Sequence, residues 1–157
     1  MLLLPKHPMK KYTVEEVKSL FKFNIPIQVR FSDIDGYLHV NNGIYFNYLE
    51  HARAVYLYKI CEWDIMTTGS VVANVNIDFL RPIHMEDQPQ AYARCVHMGK
   101  SSFVLEQVLM GKTGQGDEII FAAGSTTMVT VDMKTKRPTE IPEAYRLKMR
   151  EFDKVEQ

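Results

Sequence analysis

The stretch FSDIDGYLHVNNGIYFNYLEHAR, residues 31–53, places two aspartates, a histidine and two asparagines directly ahead of a long apolar run. Just before it, apolar residues stand at the odd-numbered positions from Ile25 to Phe31 and alternate with less apolar ones. A period of two predicts a strand with one buried face, and the same parity continues to Asp33 and Asp35. The sequence therefore predicts a strand whose inward face passes from hydrocarbon into two carboxylates.

The run from Asn41 to Cys61 has the composition of a helix, because it contains no proline and only one glycine, Gly43. Apolar and aromatic residues occupy nearly every side of a helix drawn through it. That pattern indicates a helix buried on almost all sides, and 18 residues would span roughly 27 Å. We expect the rest of the chain to wrap around it.

Four further segments alternate or run apolar, and turn-like residues separate them. They are residues 71–80, 91–98, 103–110 and 119–131. Strands that follow one another without intervening helices favour an antiparallel sheet. The predicted fold class is α+β, with a five-stranded antiparallel sheet wrapped around the long central helix.

Shorter helices are predicted at both ends of the chain. Thr13 followed three residues later by Glu16 is a capping-box pattern, which predicts a short helix beginning near Thr13. Pro142 suits the first turn of a closing helix. We divide the chain into an N-terminal extension, residues 1–23, and a single domain, residues 24–157.

Composition narrows the class of protein. Lys plus Arg and Asp plus Glu both total 19, and without a basic run this balance argues against a nucleic-acid partner. Cys61 and Cys95 do not have the CxxC spacing of a metal or redox site, and two cysteines are too few for a secreted disulfide scaffold. This predicts buried thiols in a reducing compartment. Three leucines at the start are too few for a signal-peptide core or a membrane span. We therefore expect a cytoplasmic protein with no membrane partner.

The polar stretch combines two requirements of acyl-transfer chemistry. The first N–H groups of a helix have no intrahelical acceptor and lie at the positive end of its dipole, so they can bind the oxygen of a polarised carbonyl. Asn41, Asn42 and Gly43 supply these N–H groups, and one such donor is worth about 3 to 4 kcal/mol to a transition state. Asp35 is placed to attack the carbonyl or to orient a water that does so.

Three segments carry a family resemblance: DIDGYLHVNNGIYFNYLEHAR, VNIDFLRPIHMEDQ and GKSSFVLE. They resemble the hotdog-fold acyl-CoA thioesterases of the 4-hydroxybenzoyl-CoA thioesterase type. The resemblance implies hydrolysis of an acyl-CoA thioester to free acid and coenzyme A, without a metal or redox cofactor. It also implies a dimer in which each site draws on two subunits. An open sheet edge by itself predicts pairing with another copy and leaves homodimer and homotetramer open.

By position in the family motif, the catalytic carboxylate falls on Asp35, and the carbonyl-polarising N–H falls near Asn42. The motif's first aspartate is Asp33, which the resemblance makes structural. Leu38 stands where the family has glycine, so we expect a changed backbone approach or pocket shape there. The resemblance also places three residues of a later turn near the coenzyme A phosphates: Lys100, Ser101 and Ser102.

Alternatives remain for several of these groups. One interpretation of His39 is a catalytic acid or base, since the reference pKa of histidine is about 6.5. The other is a loop residue bonded to the backbone. Glu50 is either the catalytic carboxylate, as in other hotdog branches, or a partner of Arg53 three residues later. A metal site would be the alternative for Asp33, Asp35 and His39, because aspartate and histidine are common ligands of divalent metal ions. Their spacing matches no recognised ligand motif, so we expect no metal site.

Two alternative functions also remain. One is hydrolysis of a thioester on acyl carrier protein, and the other is a noncatalytic acyl-binding hotdog protein. Nucleotide hydrolysis, dinucleotide redox chemistry and serine hydrolysis are disfavoured, because no P-loop, GxGxxG or GxSxG motif occurs.

Overall fold

The computed structural model describes residues 10–156, so residues 1–9 of the predicted N-terminal extension lie outside the described residues. The helices of the described part are α1 (Val14–Leu20), α2 (Asn42–Lys59) and α3 (Glu143–Asp153). The strands are β1 (Phe23–Pro26), β2 (Thr68–Phe79), β3 (Gln88–Met98), β4 (Ser102–Lys112) and β5 (Glu118–Asp132).

The strands form one antiparallel sheet in the order β1-β3-β4-β5-β2, so β1 and β2 are its edges. The predicted α+β architecture with a five-stranded antiparallel sheet is confirmed. Successive side chains of a strand point to opposite faces. On β4, Leu105 and Leu109 pack with α2, whereas Val108 and Met110 pack with α1. The two helices therefore cover opposite faces of the sheet.

Helix α2 is buried along one side only. Its sheet-facing side chains pack into the core; they are Tyr45, Tyr48, Leu49, Ala52, Tyr56 and Leu57. On the other side Phe46 is half-exposed and Tyr58 is 74% exposed. The prediction of a helix buried on almost all sides is wrong for the single chain, because one sheet covers only one side of a helix.

A buried polar network joins α2 to the centre of the sheet. The Arg53 guanidinium donates to Gln107 Oε1 at 3.3 Å and to Thr126 Oγ1 at 3.5 Å. The Gln107 amide in turn donates to the backbone oxygen of Leu49 at 2.9 Å. Burial lowers the pKa of Arg53. Because each of these bonds has a defined direction, the network holds α2 in one position along the sheet.

Strand β1 is shorter than the alternating pattern predicts. It ends at Pro26, and the last ladder bond runs from the Ile27 N–H to Pro89 O at 3.0 Å. Beyond that point the chain passes the start of β3, so no partner strand remains. Val29 is still buried, but Phe31 is 85% exposed and begins a 3-10 turn. The prediction of a strand running to Phe31 is therefore wrong, although Asp33 keeps its inward side.

The terminal helices begin where the sequence predicts. In α1, the Glu16 N–H donates to Thr13 Oγ1 while Glu16 Oε2 accepts from the Thr13 N–H, which completes the capping box. Val17 and Phe21 then pack on the outer face of the sheet. Helix α3 follows Pro142.

Cys61 and Cys95 are free, buried thiols, as predicted. Burial raises the pKa of both thiols, and that of Cys61 to about 12. Beside them, Asp153 of α3 accepts hydrogen bonds from the Tyr56 hydroxyl and from the Cys95 N–H. These bonds fasten α3 to the core. Among residues 10–156, no helix has both the length and the apolar character needed to cross a membrane.

Candidate active site

A tight hairpin leads into α2 and positions Asp35. Ile34 and Val40 form an antiparallel bridge, and inside it the Asp35 N–H donates to His39 O at 2.8 Å. The Leu38 N–H donates back to Asp35 O at 3.0 Å. One oxygen of the Asp35 carboxylate, Oδ1, accepts from the Tyr37 N–H at 2.8 Å. The other oxygen, Oδ2, has no hydrogen-bond partner within residues 10–156.

The N-terminus of α2 contains one open N–H group. The Asn41 N–H donates to Asp33 O at 2.9 Å, and the Asn41 side chain accepts from the Gly43 N–H at 2.8 Å. Of the three N–H groups that the sequence offers at the helix start, two therefore have acceptors within the protein. In the described part of the chain the Asn42 N–H has none, and it lies at the positive end of the helix dipole.

Asp35 and the helix start share a cavity of about 320 Å³. Its lining residues are Asp35, Tyr37, His39, Val40, Asn41, Asn42, Tyr45 and Pro82. The buried Tyr45 hydroxyl accepts from the Ile83 N–H at 3.2 Å and lies 3.4 Å from Arg81 O, to which it donates. Burial raises the pKa of Tyr45. The cavity thus combines a carboxylate, an open backbone donor and a neutral hydroxyl.

Asp33 has a different environment from Asp35. It is buried, and its Oδ2 accepts from the Tyr48 hydroxyl at 2.6 Å and from the Arg30 N–H at 3.0 Å. Burial raises the pKa of Tyr48, and the bond to Asp33 adds to the effect. Because its acceptor positions are used inside the protein, Asp33 fastens the hairpin to α2.

His39 lines the cavity but also contacts a residue that sequence reasoning missed. Its ring packs edge-to-face on the His84 ring at 5.0 Å between centroids. His84 Nδ1 lies 3.5 Å from Asp87 Oδ2, and Asp87 also accepts from the Gly114 N–H. A bond of 2.8 Å from the Val40 N–H to Ile83 O brings this segment beside the hairpin. No local pattern in the sequence indicates this approach.

Tyr45 also lines the cavity, and the sequence analysis did not single it out. The available signal was its type and position: a tyrosine, not a phenylalanine, in the first turn of a buried helix face. A buried hydroxyl requires a partner, and here that partner belongs to the segment that closes the cavity.

Glu50 lies outside the cavity. It is exposed on α2, two turns beyond Asn42, or about 12 Å along the helix axis. It also makes no ion pair with Arg53, whose guanidinium points to the sheet, although its charge favours the ionised form of Arg53. The structure therefore brings Asp35, His39, Asn41 and Asn42 together and leaves Glu50 apart.

The predicted phosphate-binding turn lies at the other end of the sheet. Lys100, Ser101 and Ser102 follow the end of β3, whereas the hairpin lies beside the start of β3. The 11 residues of β3 span roughly 35 Å. Lys100 Nζ is exposed and forms an ion pair with Glu140 at 2.9 Å. Within one chain this turn is therefore remote from Asp35.

Comparisons with known proteins agree with this architecture. The model of the thioesterase superfamily matches residues 37–117. Long-chain acyl-CoA thioesterase FadM of Escherichia coli (strain K12) is 30% identical over 82% of this chain and 97% of its own. A thioesterase from Thermus thermophilus, solved with coenzyme A and Zn, is 32% identical over 87% of this chain and 98% of that chain, with a TM-score of 0.73.

A more distant structure supports the fold alone. It is a 4-hydroxybenzoyl CoA thioesterase complexed with 4-hydroxybenzoyl CoA, which is 17% identical. It covers 81% of this chain and 97% of that chain with a TM-score of 0.74. Given the five-stranded sheet, the helix start with its open N–H and these matches, the chain belongs to the thioesterase superfamily and is a hotdog-fold thioester hydrolase.

Proposed function

We propose that the protein hydrolyses long-chain acyl-CoA thioesters, with Asp35 as the catalytic carboxylate and the Asn42 N–H as the oxyanion donor. The observation that carries this proposal is that the unpaired oxygen of Asp35 and the open N–H of Asn42 belong to one cavity. The long acyl chain and the coenzyme A carrier are taken from the names of the relatives, FadM and the Thermus thioesterase.

The reaction uses these two groups in sequence. The thioester oxygen accepts from the Asn42 N–H, so negative charge that develops on it lies at the positive end of α2. Asp35 Oδ2 takes a proton from a water molecule as the water oxygen bonds to the carbonyl carbon. The C–S bond then breaks, and the thiolate of coenzyme A receives the proton from Asp35. The products are the free acid and the coenzyme A thiol, and no metal or redox cofactor takes part.

Direct attack by Asp35 on the carbonyl carbon is the second route, because the same Oδ2 atom is unpaired. It would form an acyl-enzyme anhydride that water then hydrolyses. Several turnovers in water enriched in oxygen-18 distinguish the two routes. Incorporation of the label into the Asp35 side chain, detected by mass spectrometry of its peptide, demonstrates direct attack, because the water route never exchanges a carboxylate oxygen. An unlabelled peptide fits the water route and also an anhydride that water hydrolyses at its acyl carbon, and a rapid-quench search for the acylated Asp35 peptide separates these two.

The function is tested by thiol release from a panel of acyl-CoA and acyl-carrier-protein thioesters of different chain length. We expect the highest kcat/KM on long-chain acyl-CoA. A higher kcat/KM on the carrier-protein thioesters would identify acyl carrier protein, and not coenzyme A, as the carrier of the acyl group in the substrate. Tight acyl-CoA binding without any thiol release would identify a noncatalytic acyl-binding protein.

We include in this proposal a homodimer formed through β2. This edge strand is 12 residues long, and within residues 10–156 its outer side has no partner strand. Val71 and Val72 on it are about half exposed. Long, apolar, exposed edges pair with other chains unless charge or proline blocks them. Antiparallel pairing of two β2 strands would bring the turn at Lys100–Ser102 of one copy towards the Asp35 end of the other. That arrangement would let this turn bind the coenzyme A phosphates.

The dimer is tested with Val72→Lys, whose charge would be buried against the partner edge. We expect a monomer by light scattering, together with loss of acyl-CoA affinity. A variant that stays dimeric would exclude this edge as the interface. A homotetramer in the wild type would require a second interface in addition to β2.

The proposal also covers the organisation and location of the protein. We assign catalysis to residues 24–157 and a stabilising role to the extension, because α1 packs on the sheet face opposite α2 and the cavity. The free thiols of Cys61 and Cys95 suit a reducing compartment, for which we propose the cytoplasm.

A further inference from the structure

Leu38 has a backbone conformation that disfavours its side chain. Its φ is +63°, and among residues 10–156 it is the only apolar residue of the four non-glycines with positive φ. The others are Glu62, Lys136 and Lys154. In the left-handed region a Cβ atom approaches the following carbonyl oxygen, so glycine is the usual occupant and asparagine an occasional one.

The hairpin requires this conformation. A three-residue hairpin loop is typically a type I turn followed by a left-handed residue, and Leu38 is that last residue. Its N–H donates to Asp35 O, and the carbonyl oxygen of the next residue, His39, accepts from the Asp35 N–H. A glycine would form both bonds without steric strain. Leucine at this position therefore stabilises the hairpin no better than glycine would.

Packing within the chain does not offset the strain either, because the Leu38 side chain is 74% exposed. Strain that persists without an internal cause points to a functional contact. Leu38 stands between Tyr37 and His39, which both line the cavity, and Tyr37 is 83% exposed beside it. The apolar side chain therefore lies at the rim of the cavity.

The substrate must pass this rim. The cavity of about 320 Å³ is too small for a whole acyl-CoA, so a thioester held at the Asn42 N–H extends beyond it in both directions. The coenzyme A portion is polar apart from its thiol arm, whereas a long acyl chain is apolar throughout. An exposed leucine at the rim is complementary to the acyl chain, since contact removes both surfaces from water.

We propose that Leu38 contacts the acyl chain of the bound substrate and sets the preference for long chains. This inference rests on the proposed function, because it requires the thioester to lie in this cavity. Each methylene group covered by Leu38 adds to binding, so the contribution grows with chain length until the side chain is covered. A short acyl group ends before it reaches the rim and gains nothing.

The test compares Leu38→Gly and Leu38→Ala with Lys136→Gly as a matched control. Lys136 is an exposed turn residue with φ of +58°, and its turn closes through a bond to Asp132 O. Both glycine variants relieve left-handed strain, so we expect each to raise Tm by about 2 to 4 °C. Alanine keeps the strain and should leave Tm nearly unchanged.

The kinetic expectation separates substrate contact from strain. Both Leu38 variants should lower kcat/KM for palmitoyl-CoA about tenfold and for acetyl-CoA less than twofold. Lys136→Gly should change neither value. Equal losses for both substrates would overturn the inference in favour of a contact with coenzyme A. Unchanged kcat/KM for both substrates in both Leu38 variants would overturn it outright.

Binding of S-alkyl-CoA thioethers, which cannot be hydrolysed, provides a second readout. The affinity of the hexadecyl thioether should fall about tenfold in Leu38→Ala, and that of the ethyl thioether should not change. This measurement does not depend on turnover. A wild-type protein without thioesterase activity would refute the proposed function, whereas equal thioether affinities in wild type and variant would refute the role of Leu38.

Discussion

Replacement of Asp35 by asparagine is the most direct test of the proposed chemistry, because the structure indicates that the fold survives it. The carboxylate makes one internal bond, from the Tyr37 N–H to Oδ1. An asparagine side chain keeps an oxygen at that position and so keeps the turn. The substitution removes only the basic oxygen, Oδ2, which has no hydrogen-bond partner in the described chain.

The expected loss follows from the role of a general base. Such groups contribute about 10²- to 10⁴-fold to a rate, which is about 3 to 5 kcal/mol of transition-state stabilisation. Since the Asn42 N–H remains in place, KM should change little and kcat should carry the loss. The assay is thiol release from palmitoyl-CoA with a chromogenic disulfide, and circular dichroism checks that the variant is folded.

Asp132→Asn is the matched control. Asp132 is also partly buried and also accepts a backbone N–H two residues later, from Lys134 at 2.9 Å. It lies at the far end of β5, and its replacement should leave kcat unchanged. If folded Asp35→Asn keeps more than about a tenth of the wild-type kcat, the assignment of Asp35 is wrong. Glu50 and His39 would then be the carboxylate and imidazole to replace next.

Three further predictions concern stability. Val17→Ala, on the side of α1 that packs against the sheet, should lower the free energy of unfolding by about 1 to 2 kcal/mol in urea titrations. It should leave kcat/KM unchanged, and a fall in kcat/KM would contradict a purely stabilising role of the extension. Gln107→Leu should cost about 2 to 3 kcal/mol, because the Arg53 guanidinium loses an acceptor in a buried site, and a neutral result would show that the network is dispensable. Burial raises the pKa of Asp153, so its contribution to stability is full below the unfolded pKa of about 3.9 and is lost as pH rises through the folded value. The stability of the wild type relative to Asp153→Asn should therefore fall from acidic to neutral pH in denaturant titrations, and a pH-independent difference would contradict the raised pKa.

Much of the fold follows from local patterns in the sequence. The four later strands lie within three residues of the predicted segments at every end, because alternation and turn residues act locally. The capping box of Thr13 and Glu16 predicts the start of α1 for the same reason. The family motif also selects Asp35 and Asn42, and both line one cavity.

Other features depend on which segments meet. Strand β1 ends at Pro26 because β3 begins at Gln88 and no partner strand extends further. Alternation continues to Phe31 in the sequence, but a strand also needs a neighbour to bond to. In the same way, helix periodicity indicates which residues of α2 are apolar. The extent of its burial depends on how many layers the folded chain supplies.

The candidate site shows the same division. The sequence by itself determines that a carboxylate and three backbone N–H groups occur close together, since these are neighbours along the chain. Only the tertiary structure decides that Asn41 and Gly43 bond internally while Asn42 stays open. It also brings His84 against His39 and leaves Lys100 at the opposite end of the sheet. Hydrogen-bond partners and long-range distances are properties of the closed chain, and no local pattern encodes them.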